Sequence, residues 1–410
     1  MDRISRKEKP GENWPSTEYR WVIVGVLWLV HAIGFLNFSS LGILAPFIQE
    51  DLKLTSAQIG LFISAVSIGA SLTQMPVGLI ADLAGVRLVL TLGVGLMGLL
   101  LAVFSFAPSF PVAIVILLVY GLATGMINPT ASRSIMDWFP PVGRATAMGA
   151  KQTGVNFGGI LAGILLPALA LTFSWRKSLL MVGIVEAACA ALIYRFAKEA
   201  PLKPGSDKPS FEWRKIFHTI LHRDIRTLGG VAFFFMASQF CFSAYLTLFL
   251  TRELHYSVIL SGRYFALSYL IGAAARILWS LLSDYLFRGR RKGILVLIAW
   301  IMLLASLSMS LIAFFPAASS FLLASVLAFG VSGIGWNAIF ITILGETAGK
   351  ESIGLAIGAG FFFGFMGSLI CPPLFGYIVD VTKAYGPAWL FMASLAAANV
   401  LLLMRFKEKA

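Results

Sequence analysis

The feature that most constrains this chain is a succession of apolar runs, each long enough to cross a lipid bilayer. A helix needs about 20 predominantly apolar residues to span ~30 Å of hydrocarbon. Runs of that length recur near 20–43, 55–80, 86–108, 110–134, 144–171, 176–196, 228–251, 258–284, 292–314, 320–345, 351–378 and 386–405. Backbone N–H and C=O groups find no water in hydrocarbon, so the runs are expected to be helical. Apolar residues make up 58% of the 410 and charged residues only 12%, too little polar surface to cover a water-soluble body. The first run is expected to be a retained span, because the residues before it are polar and offer no small-residue cleavage site.

The net charge of +13 is distributed in short groups between the runs. It forms no sustained basic stripe with interleaved aromatics, which argues against nucleic acid as a partner. Placing the N-terminus in the cytoplasm puts 24 of the 32 Lys and Arg residues on the cytoplasmic side. Six lie outside (Lys53, Arg176, Lys177, Arg252, Arg263 and Lys383), and Lys151 and Arg276 fall within spans. That asymmetry predicts a multi-pass protein of the cell (inner) membrane with both termini cytoplasmic. Cys189, Cys241 and Cys371 stand apart in separate apolar stretches, which indicates neither a disulfide framework nor a zinc site. No phosphate-binding GxxxxGK[ST] loop is present, so the sequence predicts neither nucleotide drive nor any cofactor or metal.

The chain also repeats itself. Gly78-Leu-Ile-Ala-Asp82 after the second run corresponds to Ser280-Leu-Leu-Ser-Asp284 after the eighth. A common offset of 209 pairs Gly121 with Gly330, Asn128 with Asn337, Ala147-Met-Gly149 with Ala356-Ile-Gly358, and Gly158 with Gly367. A shared offset over several matches points to two homologous halves, an arrangement common in transporters. The expected fold is an all-α membrane protein: twelve transmembrane helices in two pseudo-symmetric six-helix bundles. Residues 1–196 form the first bundle and 228–410 the second. Residues 197–227, polar and carrying three of the 17 prolines, form a cytoplasmic linker.

The stretch Gly78-Leu-Ile-Ala-Asp82-Leu-Ala-Gly85-Val-Arg87 resembles the signature loop between spans two and three of the major facilitator superfamily, although two positions that are basic in that loop are Leu83 and Val86 here. The second copy supplies Asp284 followed by Arg288, Arg290, Arg291 and Lys292. The resemblance covers nearly the whole chain through span number, linker and repeat. It implies transport by alternating access, the two bundles rocking about a central site, with Gly78, Asp82, Gly85, Arg87 and Asp284 gating the movement. Trp138-Phe-Pro-Pro-Val-Gly-Arg144 is similar to the span four–five loop of bacterial organic-anion transporters. Lys151-Gln-Thr-Gly-Val-Asn156 is similar to sequences in small-anion permeases such as those assigned to cyanate. Arg276, by its spacing to Asp284, resembles the span-eight arginine of monocarboxylate transporters, whose acidic neighbour one turn earlier is Gly272 here.

Charged groups at bilayer depth are costly and are functional candidates by default. Arg276 and Lys151 should each lie ~10–12 Å inside the cytoplasmic ends of their spans, counted from Asp284 and Arg144 at the helical rise. Two cations at similar depth, one from each half, would make an anion site, with a bidentate fork from the guanidinium and a point charge from the ammonium. Arg276 could instead pair with a backbone carbonyl or with Glu186, and Lys151 could snorkel to the cytoplasmic face. Tyr120, Thr124 and Asn128 share one helical face. With Gln152, Trp336 and Asn337 they could line the substrate cavity, or they could join helices by hydrogen bonds. His31, the one histidine within a span, and Glu186 could carry a coupling proton, or serve as neutral partners between helices.

Three functions fit these residues. The first is a monomeric, proton-coupled symporter of a small organic anion such as a carboxylate. The second is an efflux carrier for amphipathic compounds, suggested by 33 phenylalanines. The third is a membrane sensor built on a carrier scaffold. No nucleophile–base constellation suggests an enzyme.

Overall fold

The computed structural model describes residues 17–74, 76–140, 143–200, 222–286, 290–348 and 353–408. Twelve helices among them are long and apolar enough to cross a membrane. In the first half these are span one (Glu18–Ile43), two (Ser56–Gln74), three (Val86–Phe104), four (Phe110–Trp138), five (Thr146–Phe173) and six (Trp175–Phe196). In the second they are seven (Arg223–Glu253), eight (Val258–Tyr285), nine (Arg291–Phe314), ten (Ala317–Thr347), eleven (Ala356–Thr382) and twelve (Tyr385–Arg405). Most of the linker, residues 201–221, lies outside the described residues.

The expected boundaries shift where the backbone is interrupted. Span two stops at Gln74, and a separate short helix, Val77–Ala84, carries the signature loop. Span four is two helices, Phe110–Gly125 and Ile127–Trp138. Pro129 cannot donate back to the carbonyl of Gly125, and the helical ladder breaks at that point. Span ten runs as helix Leu322–Phe329, a π turn Gly330–Ile334, then helix Asn337–Ala348. Irregular turns of this kind leave carbonyls unpaired within their own helix. Span eight uses two of them: Trp279 Nε1 donates to Val331 O at 2.9 Å and Arg276 Nε to Ile334 O at 3.3 Å.

The repeated glycines hold equivalent places in the two halves. Gly121 in span four lies against the backbone carbonyl of Val66 in span two, and its counterpart Gly330 in span ten lies against that of Ser268 in span eight. Gly158 in span five meets the carbonyl of Ala32 in span one, as Gly367 in span eleven meets that of Phe233 in span seven. A Cβ at any of the four would collide with main chain, so glycine fixes these close helix pairs. Gly149 and Gly358, also related by the repeat, both face open space.

The bundles meet through span two on eleven, five on eight, and one on seven. The described hydrogen bonds across this seam lie between mid-span and the end opposite the termini. Ser67 Oγ and Ser368 Oγ are 3.0 Å apart, and Ser64 Oγ donates to Leu369 O at 2.5 Å. Tyr245 Oη donates to Ser56 O and Pro372 O, both at 2.8 Å. At the extreme end, Asp380 of span eleven caps span two, accepting from the backbone N–H groups of Ser56 and Ala57 at 2.8 Å each. Arg252 reaches Glu50 at 3.1 Å and Pro46 O at 3.2 Å. The molecule is therefore sealed at the end away from its termini.

Candidate functional site

Lys151 is 2% exposed. Its ammonium donates to Asn128 Oδ1 at 3.0 Å and to Ser132 Oγ at 2.9 Å, both on span four. The position is inward-facing within the first bundle and does not snorkel. An ammonium has three donors, so one remains. His31 of span one completes the group: Nδ1 donates to Leu27 O at 2.8 Å. Its Nε2 is buried without a hydrogen bond, with Asn128 and Lys151 as electrostatic neighbours. Asn128 is exposed although it sits mid-way along its span. Gln152, partly buried, makes no hydrogen bond among the described residues.

Arg276 stands across the seam on span eight. Its Nε is held by Ile334 O, while both terminal nitrogens are without a hydrogen-bond partner among the described residues. Tyr269 lies on the same helix two turns away, its Oη 2.8 Å from Ser243 Oγ. The register between the two cations follows from Gly159 of span five, against which the Tyr269 ring packs. From that contact toward the termini, Lys151 lies eight residues along span five and Arg276 seven along span eight, or ~12 and ~10 Å at the helical rise. The two cations therefore stand at matched depth on facing helices, on the terminal side of the described hydrogen bonds between the bundles. Neither has a carboxylate partner among the described residues.

Other expected site residues are placed elsewhere. Trp336 is fully buried, stacked on Phe235 with ring centroids 4.9 Å apart and donating to Gln239 Oε1 at 3.1 Å. It is packing inside the second bundle and not a cavity wall. Asn337 beside it is partly exposed and makes no side-chain hydrogen bond among the described residues. Tyr120 shares its helical face with Thr124, whose hydroxyl bonds Tyr120 O at 3.0 Å, but its own hydroxyl is buried, with Glu186 as an electrostatic neighbour. Glu186 is 0% exposed and accepts from Asn37 Nδ2 of span one. Among the described residues it pairs with no arginine, Arg276 included, which sets aside the Arg276–Glu186 alternative. Asn37 was not singled out in the sequence, where a single uncharged amide in an apolar run carries little signal.

The expected gating residues engage partners in their own halves. Arg87 Nε donates to Tyr194 O at 2.6 Å, its guanidinium lies 3.9 Å from the Tyr194 ring centre, and its backbone N–H donates to Glu199 Oε1 at 2.8 Å. Gly85, at φ 86°, leaves room for that carboxylate. Asp284 and Glu346 both pair with Arg291. The side chains of Gly78 and Asp82 lie outside the described residues. In the span four–five loop, Arg144 donates to Phe139 O and Met136 O at 3.0 and 2.9 Å, closing the frayed end of span four.

The family model described as Major Facilitator Superfamily matches residues 27–372. The chain belongs to that superfamily. It is 28% identical over 400 residues to a hexuronate transporter of Bacillus subtilis (strain 168), covering 94% of each protein. It is 23% identical to a probable galactarate/D-glucarate transporter of the same organism, covering 94% of this chain and 91% of the relative. Among solved structures, a bacterial homologue of the human lysosomal transporter Spinster, inward-facing and occupied, superposes with a TM-score of 0.78 at 18% identity, covering 96% of this chain and 98% of that one. The protein is thus a multi-pass member of a transporter superfamily.

Proposed function

We propose that this protein is a secondary carrier of a small organic anion of the sugar-acid class, bound between Lys151 and Arg276 and moved with protons by alternating access. The observation that carries this reading is the pair of cations at matched depth, one per bundle, without acidic partners. The free terminal nitrogens of Arg276 offer a carboxylate the parallel donors that guanidinium supplies, and Lys151 adds its remaining donor. Asn128, Gln152 and Asn337 are uncharged, accessible groups suited to hydroxyls of a polyhydroxylated acid. The names of the relatives, hexuronate and galactarate/D-glucarate transporters, support the same class.

The basic-residue asymmetry supports an inner-membrane orientation with both termini cytoplasmic. In that orientation the sealed end is external, and the cations face the cytoplasmic opening. Residues 1–196 and 228–410 then act as the two rocking bodies of a monomeric carrier joined by 197–227. Gating is assigned to the Arg87 and Asp284–Arg291 contacts on one side and to Asp380 and Arg252 on the other. The test is uptake of labelled D-glucuronate into proteoliposomes under an inward proton gradient. Wild type is expected to accumulate it, and Arg276→Ala to lose accumulation. Movement of lipophilic cations in place of glucuronate would overturn the reading in favour of efflux.

A further inference from the structure

We infer that Glu186, Asn37 and Tyr120 form a proton seat in the first bundle, separate from the substrate cations and serving as the coupling site of the carrier. The inference rests on the proposed transport reading for its coupling role, though the seat itself stands on geometry. Glu186 is 0% exposed in span six, and its Oε2 accepts from Asn37 Nδ2. Its Oε1, Asn37 Oδ1 and Tyr120 Oη are all buried without hydrogen-bond partners. Three orphaned oxygens, drawn from spans one, four and six, therefore occupy one region of the bundle interior.

Charge balance decides what belongs there. A carboxylate buried without a counter-charge is too costly to keep, and no Lys, Arg or His pairs with Glu186 among the described residues. The titratable groups in its field are Tyr120 from span four and the Cys189 thiol one turn along its own helix. Neither supplies a positive charge. The missing partner is then a cation, and the oxygen count selects among cations. Hard metal ions gather about six oxygens or more, whereas this pocket presents four, one of them already accepting from the Asn37 amide N–H. A proton on Glu186 Oε1 satisfies the site: the carboxylate becomes a neutral acid whose new O–H is a donor, with orphaned acceptors at Asn37 Oδ1 and Tyr120 Oη on the neighbouring helices.

The seat also has a route to the substrate cations. Span one carries Asn37 at the seat and His31 at the Lys151 group. Span four carries Tyr120 at the seat and Asn128, two turns on, bonded to Lys151. The same two helices therefore touch both centres, and Thr124 lies between them on span four. The imidazole Nε2, buried and unpartnered, is the titratable atom on the Lys151 side of that path.

Two measurements test the seat. In detergent, the infrared carbonyl stretch of a protonated carboxylic acid should be present in wild type and lost in Glu186→Gln, a readout independent of any substrate. Its absence from wild type, or its persistence in the variant, overturns the assignment. In proteoliposomes, Glu186→Gln should reduce glucuronate-driven proton movement more than about tenfold while glucuronate–glucuronate exchange falls less than about threefold. Tyr120→Phe, which keeps the ring packing, should move the pH at which accumulation is half-maximal. Proton-driven accumulation by Glu186→Gln at the wild-type level, or accumulation that follows a sodium gradient instead, overturns the coupling role. A wild type with the infrared band but no glucuronate exchange would refute the transport reading and leave the protonated seat standing.

Discussion

In the first bundle the buried polar atoms left without partners include a carboxylate, an imidazole and a phenol, on Glu186, His31 and Tyr120. In the second they are the hydroxyls of Ser238 and Thr247, the indole of Trp389 and the amide of Asn399, groups that do not titrate near neutral pH. Both halves are built on the same helix pairs with glycines at the same contacts, yet their interiors differ in kind. The second half sets Arg276 against span ten, and elsewhere its interior is packed with stacked aromatics, among them Phe235 on Trp336 and Phe242 on Phe329, with centroids 4.9 and 4.0 Å apart. On the proposed reading each half contributes a cation to the anion, Lys151 and Arg276, but among the described residues only the first half also buries an unpartnered carboxylate and imidazole.

The largest expected effect comes from removing the fork. Arg276→Met should lower glucuronate uptake by about 100-fold or more, the scale of losing a desolvated charge-assisted pair. Arg276→Lys should recover only part of it, because a point charge cannot reproduce the parallel donors. If lysine restores full uptake, the geometry of the second half matters less than its charge.

A stability comparison separates the two kinds of buried amide. Asn37→Leu removes the described donor to Glu186 and should cost about 2 kcal/mol, read as thermal unfolding in detergent, because it strands a buried acid. Asn399→Leu should be near neutral, since neither amide atom of Asn399 has a partner to strand. Equal losses would erase the distinction between the halves.

The seal at the far end should respond more gently. Asp380→Asn weakens a charged cap across the seam and should shift the population away from the sealed state by about 1 kcal/mol, or roughly fivefold. Distances between spin labels at Thr55 and Val381 would report it. The smallest effect on transport is expected for Trp336→Phe, which keeps a ring on Phe235 and loses the bond to Gln239: stability should fall, because a cavity and a stranded acceptor remain, but glucuronate uptake should change less than about threefold. A large loss of transport there would return Trp336 to the substrate site.

The fold was legible because its signals are long and redundant: span length and a repeat offset both report twelve helices in two related bundles. The placement of Lys151 and Arg276 inside spans was legible for a related reason, since both fall well within apolar runs of that length. Trp336 and Tyr120 were not, because a side chain's helical face says nothing about whether that face meets a cavity or a neighbouring helix. Gly330, Gly333 and the π turn draw span ten inward and bury Trp336, a displacement that no periodicity encodes. Asn37 and Asp380 act through partners 149 and 324 residues away, so only the assembled helices reveal them, the first inside one bundle and the second across the seam.

The central claim is that one anion is held jointly by both bundles. Titration calorimetry of D-glucuronate into purified wild type, Lys151→Met and Arg276→Met tests it directly, with D-glucose as the uncharged control. The account predicts binding to wild type, weakening of roughly 100-fold in each single variant, and no detectable binding of glucose. Binding by either variant within about threefold of wild type, or glucose bound as well as glucuronate, would contradict it.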